Sequence, residues 1–224
     1  WIPGVAAVLV ILAFIRDKSD RPVHAQPLSN PFKGLRTLPR AYYLYILGAS
    51  VFAMANSSDA FLLLRARDMG VTPALIPLIW SALHLVKAVT SVWGGRLSDR
   101  VGRMPLLLSG WGLYAVVYFG FAFLDGPLTA WLLFILYGVF FGLTEGTARA
   151  VVADFIPEGQ RGTAFGFWGT IEGFLTLAAS VLTGWLWDKT GGSFLPFVLC
   201  GAFALAATLY LGIWSALRKS SKAD

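Results

Sequence analysis

The chemistry of this chain is concentrated in a few ionisable side chains that stand inside apolar stretches, where each one needs a partner or a task. Glu145 and Arg149 are four residues apart, and at 100° per residue they fall within about 60° of Gly138 and Gly142 on one helix face. At that spacing carboxylate and guanidinium can neutralise each other along the helix, reducing the cost of about 2.5 to 3.5 kcal/mol for a charge at the centre of a bilayer. Two readings stay open: an ion pair that pins two helices, or a titrating group that couples a solute to a proton. Glu172 has no cation within one turn, so it must find one on another helix, face water or carry a proton. Asn56, Ser57, Ser58 and Asp59 form a polar patch that hydrocarbon would not tolerate, which makes them candidate cavity lining. His84 and Lys87 are three apart and share a face with Ser91. For them a packing histidine and a lysine that snorkels to the nearer membrane surface compete with substrate or proton handling.

These residues are meaningful only if the stretches around them cross a membrane, and composition says that they do. The chain is 57% hydrophobic and 13% charged, far below the roughly 25% charged residues of soluble domains. Stretches of about 20 apolar residues, the length that crosses hydrocarbon, fill most of it and leave no room for a separate soluble domain. Six spans are expected at about Ala41 to Leu64, Pro73 to Trp93, Leu106 to Leu124, Leu128 to Ile156, Thr163 to Trp187 and Phe194 to Leu217. The expected fold class is therefore all-α transmembrane: a six-helix bundle over 41–217 with a short tail at 218–224. Residues 1–15 read as the end of a preceding helix and the proline-rich, basic stretch 16–40 as a mobile linker. Alternate loops then lie on opposite sides. Thirteen bases fall on the side of the linker, the loop at 94–105 and the C-terminus, against Arg65, Arg67 and Lys189 on the other. That imbalance places the linker and C-terminus in the cytoplasm. It also explains the net charge of +6 without a nucleic-acid partner. Cys200 is alone, so no disulfide can form within the chain, and it reads as a small packing group.

The loop between the second and third spans, Gly95-Arg-Leu-Ser-Asp-Arg-Val-Gly-Arg-Met104, joins them by a run of charge and glycine. A tight hairpin there would use Gly94, Gly95 and Gly102 for turning or close approach. The run resembles the loop signature of the major facilitator superfamily of secondary transporters, matched from Gly95 to Arg103 and departing from it at Met104, where that family usually has another base. With the span count and the glycine-rich spans downstream, the resemblance covers essentially the whole chain. It implies a transporter that moves a small solute by alternating access, here probed as its C-terminal half, helices seven to twelve, with an N-terminal half as partner. The resemblance also implies a cytoplasmic gate in which Asp99 holds basic and dipolar groups, with Arg100, Arg103 and Arg161 of the next turn on the same side. The competing role for these charges is a topology signal that keeps arginines inside. The resemblance further places the bundle in a bacterial inner membrane and calls for no cofactor.

Two other classes compete. An intramembrane enzyme would need a metal or nucleophile set, yet the chain has no His-Glu-x-x-His, no Gly-x-Ser-x-Gly, two histidines and one cysteine. A phosphate-binding loop for an ATP-driven pump is missing as well. A channel or a scaffold without transport would need a charge-lined pore or none at all, which one chain's spelling leaves open.

Overall fold

A computed structural model describes residues 5, 8–10 and 34–220. The expected helix end at 1–15, apart from four helical positions, and the linker up to residue 33 lie outside the described residues. Where the linker is described it is docked: Leu38 is buried, and Tyr43 donates its hydroxyl to the Leu35 carbonyl. The expected mobility of 16–40 therefore does not extend to its last residues, whose apolar side chains find the bundle.

The helices are α1 (Arg40–Ala55), α2 (Ala60–Asp68), α3 (Ile76–Val101), α4 (Arg103–Phe123), α5 (Pro127–Phe155), α6 (Arg161–Thr190) and α7 (Phe194–Ser220), with 3-10 turns at Pro73–Leu75 and Glu158–Gln160. Counting α1 and α2 as one span, six segments among the described residues are long and apolar enough to cross a membrane, as expected. Prolines sit in the first turns of α3 and α5, where the missing amide hydrogen is an orphan in any case.

Two boundaries differ from expectation. The first span breaks at 56–59, separating α1 from α2. Asn, Ser and Asp side chains compete with the backbone for its own hydrogen bonds, and four in a row outweigh the apolar residues on either side. Helix α3, in turn, runs eight residues past Trp93, so nearly the whole charged signature is helical. Arginine is a good helix former, and nothing in Gly95 to Val101 forbids helix until Gly102, whose φ of +96° only glycine adopts readily. The turn is Gly102 alone, and Gly95 neither turns the chain nor meets a neighbour.

Without a hydrophobic drive between helices in lipid, small residues decide which pairs approach closely. The tightest seam joins α3 to α5. A Cβ on Gly94 would collide with the Gly142 carbonyl, and one on Gly142 would collide with Thr90 and come within 2.9 Å of the Ser91 amide. Gly138 leaves only 2.8 Å between a Cβ and the Leu83 carbonyl. The centre of the bundle is aromatic, with Tyr42, Tyr45, Tyr114, Tyr118, Phe121, Phe134, Tyr137 and Phe197 all fully buried. Helices α3 and α6 stand at the periphery, leaving Leu85, Val92, Trp93, Phe174, Val181 and Trp185 exposed. The row of glycines on α6, Gly162, Gly166, Gly169 and Gly173, has a spacing that suits close helix packing, but among the described residues nothing lies within 4 Å of a Cβ at any of them.

Candidate functional site

A cavity of about 410 Å³ lies among α1, α4, α5 and α6, and three of the charged residues expected inside the spans line it together with Asn56. Asn56 enters from the end of α1, Glu145 and Arg149 from α5, and Glu172 from α6. Counted along α5 from Phe155 and along α6 from Arg161, both carboxylates lie about 15 Å from the helix ends that flank the 156–160 turn. Both helices are longer than the roughly 30 Å of hydrocarbon, and the two carboxylates lie within about 6 Å of the helix midpoints along the axis, so the polar groups sit near mid-depth. Phe52, Trp111, Phe140, Phe141, Phe165 and Trp168 supply aromatic walls, with Phe52 stacked on Trp111 at 4.3 Å between ring centroids.

The ion pairing differs from that suggested by spacing along the helix. Glu145 accepts from Lys87 of α3 at 2.7 Å, not from Arg149. The glycine seam explains the choice, because it brings α3 within reach of α5 at this level, and Lys87 also lies 4.7 Å from the centre of the Phe141 ring. Arg149 is thereby left to the cavity. Among the described residues neither Arg149 nor Glu172 has an ion-pair partner within 4.0 Å. His84 parts company with Lys87 despite their shared face. Its Nδ1 lies 3.0 Å from the Trp80 carbonyl of its own helix, and the ring is exposed against Trp80 rather than in the cavity.

Asp59 is not in the cavity wall either. It accepts a hydrogen bond from the Tyr137 hydroxyl at 2.7 Å, while Tyr114 donates to the Ala55 carbonyl at 2.7 Å on the other side of the helix break. Ser58 donates its amide to Ser180 of α6 at 3.0 Å, and Ser57 meets the Cys200 thiol at 3.8 Å. The break is thus fastened to α4, α5, α6 and α7, which satisfies backbone groups that hydrocarbon would leave stranded. Sequence reasoning missed Tyr114 and Tyr137. Their signal was available, since a tyrosine deep in an apolar span needs a partner for its hydroxyl and the polar patch at 56–59 offers several.

At the end of the bundle marked by Gly102, Arg103 pairs with Asp154 of α5 and donates to the Ala150 carbonyl at 3.3 Å. Asp99, expected to hold the basic groups of this end, has no ion pair among the described residues, and Arg100 is exposed. Arg161 faces Glu158 at 3.8 Å, with both side chains largely in the open. The pairing expected of Asp99 falls to Asp154. Because α3 continues as helix to Val101, Asp99 stays on its exposed surface, while the Gly102 turn delivers Arg103 to α5.

A family model described as the Major Facilitator Superfamily matches residues 1–180. The chain belongs to that family, and it is a multi-pass membrane protein. It is 34% identical over 188 residues to an uncharacterised MFS-type transporter of Methanocaldococcus jannaschii, covering 80% of this chain and 46% of that protein. It is 28% identical over 176 residues to a lysosomal dipeptide transporter of Danio rerio, covering 76% of this chain and 36% of that one. A tetracenomycin C resistance and export protein of Streptomyces glaucescens is 28% identical over 189 residues, with coverages of 81% and 34%. The chain spans half or less of the length of the relatives it matches.

Proposed function

We propose that the chain forms the C-terminal half of a secondary active transporter that moves a small solute by alternating access and couples it to protons. The observation that carries this reading is the mid-depth cavity, with charges of both signs on aromatic walls. Midplane sites between two bundles are where such carriers bind their cargo. The exposed faces of α3 and α6, with an open row of glycines on α6, suit docking of an N-terminal six-helix half. Relatives of two to three times the matched length agree with that arrangement, and two of them are named for small organic solutes. Residues 16–40 would then link the halves, and the excess of bases would hold that linker, the Gly102 turn and the C-terminus in the cytoplasm of a bacterial inner membrane.

In this reading Glu145 is the coupling carboxylate, Asp59 serves the helix break, and Asn56, Arg149 and Glu172 contact solute. Lys87 is the counter-ion of Glu145, and His84 stands outside the path. Arg103 with Asp154 closes the cytoplasmic end, with Asp99, Arg100 and Arg161 as nearby charges.

Membrane vesicles carrying the two-half protein test this directly with a panel of labelled solutes and an imposed pH gradient. Uptake should saturate and should exceed equilibrium only when the gradient is present. Arg103→Ala should slow it about two- to fivefold, the range of a partly exposed ion pair, and Asp99→Asn should slow it less. Flux that rises linearly with solute and ignores the gradient would instead favour a channel.

A further inference from the structure

Charge bookkeeping inside the cavity points to the kind of solute it takes, an inference that rests on the transporter reading above. Glu145 is answered by Lys87 at 2.7 Å, so that carboxylate brings no net charge to the wall. What remains among the described residues of the lining is one cation, Arg149 on α5, and one anion, Glu172 on α6, both facing the same space and more than 4.0 Å apart. Two opposite charges on facing helices that do not close on each other leave room for something between them. A solute with one charge would satisfy one of the two and leave the other unanswered near mid-membrane, where that is costly. A neutral solute would leave both unanswered. The rest of the lining is apolar ring surface, chiefly Phe52, Trp111, Phe140 and Trp168. The volume of about 410 Å³ falls within the roughly 300 to 1,000 Å³ of small-molecule sites.

We propose that the cavity binds a zwitterionic solute with an apolar or aromatic body, its anionic group on Arg149 and its ammonium group on Glu172. Arg149 offers a planar, bidentate donor set that matches a carboxylate, and Glu172 accepts from an ammonium. The rings hold the body by area, and the ring faces add attraction for the cationic end.

Labelled phenylalanyl-alanine is a suitable probe, measured in vesicles carrying the two-half protein against three relatives of it: the N-acetyl form, the C-terminal amide and the doubly capped neutral form. Each single cap removes one charge-assisted contact and should reduce kcat/KM about 10- to 100-fold. In Glu172→Gln the penalty for the N-acetyl cap should shrink while that for the amide persists, and in Arg149→Gln the reverse should hold. The comparison of caps needs no variant, so a poorly folding mutant does not blunt the test. Capped forms carried as well as the free dipeptide would overturn the zwitterion assignment while leaving a working transporter. Saturable flux of no panel member would overturn the assignment, and if other labelled solutes are also not carried, the transporter reading fails with it.

Discussion

Replacing Gly142 with valine is expected to abolish the folded bundle, and alanine at the same position to destabilise it by about 1 to 3 kcal/mol, the usual cost of overpacking. The reason is geometric. A Cβ at Gly142 collides with the Thr90 side chain, which is held by its own hydrogen bond to the Val86 carbonyl at 2.7 Å, and it also comes within 2.9 Å of the Ser91 amide, a backbone atom that cannot rotate away. Truncating Thr90 to alanine should therefore restore part of the loss from Gly142→Ala but not all of it. Gly146→Ala is the matched control, four residues along the same helix with nothing within 4 Å, and it should change the stability of this chain by no more than about 0.5 kcal/mol. Thermal unfolding of the purified chain in detergent, followed by size-exclusion chromatography, measures all four variants. Equal effects at Gly142 and Gly146 would show that the α3–α5 seam is not the close contact described above.

The second large effect is expected at Lys87 and Glu145. Lys87→Met strips the carboxylate of its partner at mid-depth, which costs up to about 3 kcal/mol in hydrocarbon and less where water reaches the pair; the side chains are 29% and 47% exposed. Folded yield should fall in Lys87→Met and in Glu145→Gln, and should recover in the double variant because neither charge is then left alone. Arg149→Met is the discriminating comparison. Combined with Glu145→Gln it should bring no recovery, since Arg149 is not the partner of Glu145. If recovery comes from Arg149→Met and not from Lys87→Met, the pair runs along α5 after all. Transport adds a second readout: the double variant at 87 and 145, folded but without the carboxylate, should exchange solute yet lose accumulation driven by a pH gradient.

The span count and the charged residues of the cavity, Glu145, Arg149 and Glu172, with Asn56, were legible in the sequence, because apolar length and the cost of charge in lipid leave few alternatives, whereas the aromatic walls were not. Partners across helices were not. Spacing along α5 put Arg149 beside Glu145, but Lys87 comes from another helix, and only the depth of the α3–α5 seam brings it there. The extent of α3 was misjudged for a related reason: the apolar run ends at Trp93 while the helix does not, since arginine and aspartate leave hydrocarbon without leaving helix. The break at 56–59 was visible as polarity and not as a break, because the Asp59 carboxylate, the Ser57 hydroxyl and the Ser58 amide acquire their partners Tyr137, Cys200 and Ser180 only once α5, α6 and α7 are folded around it. The open glycines of α6 have a spacing that reads as packing, and which of them meet a helix is decided by tertiary placement alone.

Access to the cavity from each side of the membrane tests alternating access most directly, and Gly169 is the position to use. It lines the cavity, and nothing lies within 4 Å of a Cβ built there, so cysteine fits without displacing a neighbour. The native Cys200 is buried and should stay silent. In sealed vesicles carrying the two-half protein with Gly169→Cys as its reactive thiol, an impermeant maleimide is added to one face or the other, with and without an imposed pH gradient. Alternating access requires reaction from both faces, with the gradient raising the rate from one face as it lowers the rate from the other. Rates that rise and fall together, or labelling from one face under every condition, would contradict it.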